Sequence, residues 1–140
     1  MPPRVDFYVL PGDDERARLV YACRLVEKAY LQDHSVYVHL GSSGEAEAFD
    51  ELLWTFSDRS FVPHELAQDG APACAPVLVG AGSPAPARLL VNLSAAPPEF
   101  HGAYERIAEF VDAEPGRREA GRRRFVYYRE QGCRLETHEV

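Results

Sequence analysis

Apolar residues along this chain recur with two different periods. Leu19, Cys23, Val26 and Tyr30 stand at i, i+4, i+7 and i+11, the spacing of a helix that buries one stripe. Asp13, Asp14 and Glu15 precede them, where a helix N-terminus favours negative charge, and the helix is expected to end near Gln32. Val5 to Leu10, between Pro2-Pro3 and Pro11-Gly12, and Val36 to Leu40 are short apolar runs bounded by breakers, which predicts strands. A second helix is predicted from about Ser43 to Phe56, with Ala46, Phe49, Leu52, Leu53 and Phe56 on its stripe and Ser42 and Glu45 at capping-box spacing. A strand, helix, strand order implies a parallel pair with a right-handed crossover.

From Phe61 to Pro76 the pattern loses periodicity and predicts a long loop. Val77 to Val79 and Leu89 to Leu93 read as two more strands. Gly80 to Ala87 between them is too short for a helical crossover, so as neighbours they would pair antiparallel and make the sheet mixed. Pro97-Pro98-Glu99 opens an expected third helix carrying Phe100, Tyr104, Ile107 and Val111 at helical spacing. Asp112 to Gly116 breaks it, and a fourth helix, with Pro115 near its first turn, runs to about Gln131. Cys133 to Val140 either extends the fold or frays. The pattern is that of a single α/β domain over residues 1–140, with a mixed, mostly parallel central sheet flanked by helices.

Two stretches depart from ordinary patterning. In Leu52 to His64 the single tryptophan, Trp54, falls about 100° from Leu53 on the helical wheel, at the margin of the buried stripe or beyond it. Phe61, Val62 and Pro63 follow. Either the core takes these aromatics back or a partner covers them. In the fourth helix, Arg118, Arg122, Phe125 and Arg129 stand at i, i+4, i+7 and i+11, three guanidinium groups around one phenyl ring. Such a stripe suits an anion with an apolar neighbour.

Composition narrows the classes. At 140 residues with 46% apolar content the chain can bury a sizeable core and is not disordered. Its net charge of −7 is uneven: residues 115–140 hold seven Arg against four Glu, a local +3, which leaves −10 on the rest. An acidic body disfavours a polyanion, so direct nucleic-acid binding is not expected. The start Met-Pro-Pro-Arg-Val-Asp lacks a signal-peptide pattern and no run is long enough to span a bilayer. The three cysteines, Cys23, Cys74 and Cys133, have no metal-ligand spacing. A cytoplasmic setting away from membranes is expected.

Catalytic signatures are missing from the pattern. Gly41-Ser42-Ser43-Gly44 sits between a strand and a helix, the place of a phosphate loop, but lacks the Lys-Ser/Thr ending, and a small nucleotide-binding or enzymatic α/β domain is the alternative it suggests. Ser60, His64 and Cys74 lie near one another without a nucleophile elbow. Glu105 and Glu109 read as a solvated helix face. No cofactor and no metal are expected.

Leu53-Trp54, Ser60-Phe61-Val62-Pro63-His64, Asp6-Phe7-Tyr8 near the start and the Arg122 to Arg129 run near the end together resemble the chi subunit family of bacterial DNA polymerase III. The likeness covers essentially the whole chain, and its Trp-to-His block is the specific part. It implies a single mononucleotide-binding-like (Rossmann-like) domain that is a clamp-loader accessory and no enzyme. It also implies two partners: the acidic, Phe-ending C-terminal tail of single-stranded DNA-binding protein, and the psi subunit or, alternatively, an iron-sulfur helicase. Carried onto this sequence, the tail site comprises Arg118, Arg122 and Phe125 with Val111 beside them, and Arg129 extends the stripe. The partner-subunit surface comprises Trp54, Phe61 and Pro63. Two positions depart from the family: Phe125 replaces a common tyrosine, and Val126 stands where a basic residue is frequent.

Overall fold

The computed structural model describes residues 2–67, 74–82 and 84–140; the expected loop at 68–73 and position 83 lie outside them. The strands are β1 (Arg4–Val9), β2 (Val36–His39), β3 (His64–Leu66), β4 (Val77–Gly80), β5 (Leu89–Asn92), β6 (Arg106–Val111) and β7 (Arg134–Glu139). The helices are α1 (Glu15–Leu31), α2 (Ser43–Thr55) and α3 (Pro115–Glu130), with one 3₁₀ turn at His101–Ala103. The caps follow the sequence. The Asp14 carboxylate accepts from the Arg16 amide at 3.1 Å. Ser42 Oγ accepts from the Glu45 amide at 3.2 Å, and the Glu45 carboxylate reaches back to the Gly41 amide at 3.3 Å, which closes the capping box. Glu114 caps α3, with Pro115 in its first turn.

The strands form one sheet in the order β3-β4-β2-β5-β6-β1-β7, and every pair is parallel. The expected Rossmann-like α/β domain is present, but the sheet is not mixed. The expectation treated β4 and β5 as neighbours, whereas β2 lies between them and pairs with both. The stretch 81–88, extended, reaches roughly 27 Å. That suffices to return along a short strand and step two positions across, roughly 10 Å, without a helix.

The predicted third helix is a second correction. Phe100 to Val111 forms the 3₁₀ turn and then β6, which is bonded to β5 on one side and β1 on the other. Ile107, Ala108, Glu109 and Phe110 are buried on both faces of the sheet. Such a strand has no alternation to report, and its apolar spacing mimicked a helix. Glu109, read as solvated, is 0% exposed. The last segment takes the extended alternative: β7 pairs with β1 from Arg4↔Arg134 to Val9↔Glu139. The aperiodic stretch after Phe61 also holds an edge strand, β3.

Alternate residues of each strand divide the core in two. Tyr8, Val38, Val91 and Phe110 pack with α1 and α2 on one face. Val5, Phe7, Leu90 and Ile107 pack with Tyr128 and Phe125 of α3 on the other. The two halves of the sheet therefore present different surroundings: α2 lies beside the β3 edge, while α3 covers the β6 and β7 end.

Candidate functional site

The aromatic surface is built where α2 ends. Leu53 is 1% exposed, two residues before the helix stops at Thr55, and a tight turn closed by the Ser60 amide on the Ser57 carbonyl at 3.2 Å sends the chain back. Val62 enters the core at 0% exposure, which anchors the returning segment, and its neighbours Phe61 and Pro63 are left further out. Phe61 is 70% exposed and Trp54 42%. The two rings lie 5.7 Å apart by centroid, and Trp54 rests on His64 at 3.9 Å. The His64 ring is itself pinned: Nδ1 lies 2.7 Å from the Val62 carbonyl and Nε2 2.9 Å from that of Asp50. Trp54, which the helical wheel left between core and surface, thus stands at the surface on a buried imidazole pedestal. Beside it Leu66 is partly exposed on β3, an edge strand that among the described residues pairs with β4 alone. An aromatic pair next to an open strand edge is a surface a folded partner can cover.

The basic surface lies on α3. Arg118, Arg122 and Arg129 are exposed. Phe125 is half-buried, its ring 5.3 Å from that of Phe7, so the phenyl offers one edge to solvent and seats the helix with the other. Not all the arginine-rich run contributes to this stripe. Arg117 is tied to Asp112 through Nε at 3.0 Å and a terminal nitrogen at 2.9 Å, and those bonds hold its guanidinium above its ordinary pKa. Arg123 faces Glu119 at 3.6 Å. Arg124, within the same arginine-rich run, is buried.

Arg124 turns inward because the carboxylate it needs is there. Its Nε donates to Glu109 at 2.8 Å and a terminal nitrogen to the Ala95 carbonyl at 2.9 Å. The other Glu109 oxygen accepts from Tyr128 at 2.7 Å and from Asn92 at 2.8 Å. Complete burial is the largest influence on Glu109 and pushes its carboxyl above the usual range, while Arg124, Tyr128 and Asn92 pull it back. Burial and the neighbouring Glu109 drive the Tyr128 phenol upward. This network fixes the roll of α3 on the sheet, and so decides which arginines face out.

Gly121 sets how close the helix sits. A Cβ there would lie 2.6 Å from Cγ2 of Val111, so only glycine lets α3 approach the end of β6. That contact places Val111 beside the turn flanked by Arg118 and Phe125, bringing the carried-over tail-site residues together. Gly121→Ala is expected to destabilise the fold by about 1–3 kcal/mol through overpacking, despite a helix-propensity gain of up to about 1 kcal/mol. Denaturant unfolding measures the balance.

Elsewhere, Asp6, Glu136 and His138 bring ligand-capable atoms within 4.8 Å of one another. The Asp6 carboxylate is already engaged by Arg106 at 2.8 Å, Arg4 at 3.1 Å and His138 at 2.8 Å. With two guanidinium groups on it, the cluster is a clamp across β6, β1 and β7 rather than a cation site. At the Gly41 to Gly44 turn the Gly41 amide donates to the Glu45 carboxylate and the Glu45 amide to Ser42 Oγ, and the acid there opposes a phosphate. Among the described residues no helix is long and apolar enough to cross a membrane.

The chain is similar to known proteins along its length. The family described as DNA polymerase III chi subunit, HolC, matches residues 1–136. A protein named DNA polymerase III subunit chi from Pseudomonas aeruginosa is 44% identical over 139 residues, covering 98% of this chain and 96% of the relative. Proteins of the same name from Haemophilus influenzae, 27% identical over 100% of this chain and 99% of the relative, and Escherichia coli, 28% identical over 94% of each, share the same span. A match from the first residue to the end of α3 and into β7, with a close relative at near-full coverage, shows that this chain belongs to the DNA polymerase III chi subunit family.

Proposed function

We propose that this chain is a non-catalytic accessory subunit of DNA polymerase III that joins two partners through two separate surfaces. The α3 stripe of Arg118, Arg122 and Arg129, with Phe125 and Val111, takes the acidic C-terminal tail of single-stranded DNA-binding protein. The patch of Trp54, Phe61 and Pro63 takes a folded partner, the psi subunit or an iron-sulfur helicase. As part of the replication machinery the chain works in the bacterial cytoplasm, with no membrane and no direct nucleic-acid contact.

The observation that carries this reading is the separation of the two surfaces. Trp54 and Phe61 flank the β3 edge, whereas α3 packs on β6 and β7, four or more strands along the sheet order. At ~4.8 Å per strand that is roughly 20 Å, enough for two ligands to bind without collision. The chemistry on each side differs accordingly. Exposed guanidinium groups supply charge-assisted bonds to a terminal carboxylate and to aspartates, and the partly buried apolar side chains of Phe125 and Val111 support an aromatic side chain. The Trp54 and Phe61 rings supply the anchors usual at the centre of a protein interface.

Titrating a peptide of the tail sequence by calorimetry tests the first surface. Arg122→Ala is expected to weaken the tail on the order of tenfold or more, the cost of losing a hydrogen bond to a charged group, and wild-type affinity is expected to fall as salt rises. The second partner should bind Arg122→Ala as it binds the wild type. Equal weakening of both ligands by that one change would remove the two-surface reading.

A further inference from the structure

At the carboxyl ends of the parallel strands, α1 and α2 part around a cavity of about 370 Å³. Open α/β sheets hold ligands at this end, and the volume lies at the lower end of the range for small-molecule sites. Leu40 follows β2 and Leu93 follows β5, while Leu19 comes from α1 and Phe49 and Leu52 from α2; together they make an apolar wall. Arg18 lines the same space.

Arg18 is the feature the fold does not account for. It is 8% exposed, and its Nε is enclosed with no hydrogen-bond partner among the described residues. Asp112 and Glu15 act on it only through space, and Asp112 is bound to Arg117 through both oxygens. Burial is the largest influence on this guanidinium and lowers its pKa. A buried donor without an acceptor costs stability, and native structures keep few such groups without a reason.

We propose that this cavity binds a small amphipathic carboxylate, its apolar body against Leu19, Leu40, Phe49, Leu52 and Leu93 and its carboxylate accepting from Arg18. A planar guanidinium fork matches a carboxylate. One buried cation balances one negative charge, and on the exposed rim the two acids Glu15 and Glu45 outnumber the one base, Arg16, which disfavours a doubly charged phosphate. The site is distinct from both surfaces described above: α1 and α2 pack on the sheet face opposite α3, and α2 lines the cavity with Glu45, Ala48, Phe49 and Leu52, whereas Trp54, Phe61 and Pro63 do not line it.

The test titrates octanoate and N-acetyl-phenylalanine into the full chain by calorimetry, each beside its neutral amide. At least one carboxylate is expected to bind about tenfold or more tightly than its amide, the difference of a charge-assisted bond. Octanoate binding assigns a free carboxylic acid, and binding of N-acetyl-phenylalanine alone assigns a peptide C-terminus; either supports the site. Arg18→Met is expected to abolish the preference for the acid while leaving the melting temperature unchanged or raised, because it removes an unpaired buried charge. Ala48→Trp, at an exposed position of the cavity wall, is expected to block binding with the fold intact. The proposal is overturned if neither acid binds, if the amides bind as well as the acids, if Ala48→Trp leaves binding unchanged, or if Arg18→Met lowers the melting temperature.

Discussion

Glu109→Ala is expected to lower the unfolding free energy by about 3–5 kcal/mol, the usual cost of removing one partner of a buried ion pair. The reason lies in what remains. Arg124 is 5% exposed and would keep its bond to the Ala95 carbonyl but lose its carboxylate contact at 2.8 Å. Tyr128, 0% exposed, would lose the acceptor of its hydroxyl. Against a typical total stability of ~5–15 kcal/mol, that loss leaves a marginal fold. Urea unfolding of Glu109→Ala and of Glu109→Gln separates charge from hydrogen bonding: the amide retains an acceptor for Arg124 or Tyr128, so its loss should be smaller. A near-neutral Glu109→Ala would show that the network does not seat α3. Because the network sets the roll of the helix, tail binding should weaken in Glu109→Ala even though Glu109 lies beneath the ligand surface.

Trp54→Ala is expected to reduce affinity for the folded partner by about 2–4 kcal/mol, the range of an interface hot spot, which corresponds to roughly 30- to 1,000-fold. The tail of single-stranded DNA-binding protein should bind with unchanged affinity. Stability should change far less, since the indole is 42% exposed and the pedestal beneath it, His64, keeps its own bonds to Val62 and Asp50. Calorimetry with the psi subunit or the helicase reads the loss, and thermal unfolding checks the fold. Phe61→Ala should couple with it rather than add to it, because the two rings are in contact at 5.7 Å. If Trp54→Ala left the partner bound and weakened the tail instead, the assignment of the two surfaces would be reversed.

These outcomes rest on different levels of the fold. Trp54 acts through direct contact, Arg122 through charge at the surface, and Glu109 and Gly121 through the placement of a helix. Gly121 and Glu109 belong to one device: glycine lets α3 come within contact of Val111, and the buried ion pair stops it from turning. With both in place, Arg118, Arg122 and Arg129 face outward and Arg124 points in.

Much of this was legible in the chain. Helices α1, α2 and α3 carried start signals in the sequence, acid before α1, the capping box of α2 and Pro115 at α3, because such signals lie within one turn of the helix start, and the limits expected for the helices lie within a residue or two of those observed. That Arg118, Arg122 and Arg129 share one face followed from helical spacing alone, since three turns of one helix need no other element to align them. The Trp54 to His64 block was also visible, by its aromatic content and its resemblance to a known family.

Tertiary structure decided the rest, and each case turns on a partner distant in sequence. β6 was read as a helix because its burial comes from β5, β1 and α3, so neither face alternates. The sheet is parallel throughout because β2 inserts between β4 and β5, a choice no local pattern records. Arg124 and Arg122 are two residues apart and chemically identical. One meets Glu109 across fifteen positions and disappears into the core, while the other faces water. Arg18 is the same residue again, buried by its place on α1 but given no carboxylate. Local spacing therefore determined the helices and which side chains shared a face. Only the packing of that face against the sheet determined which charges were neutralised, and hence which were left for a ligand.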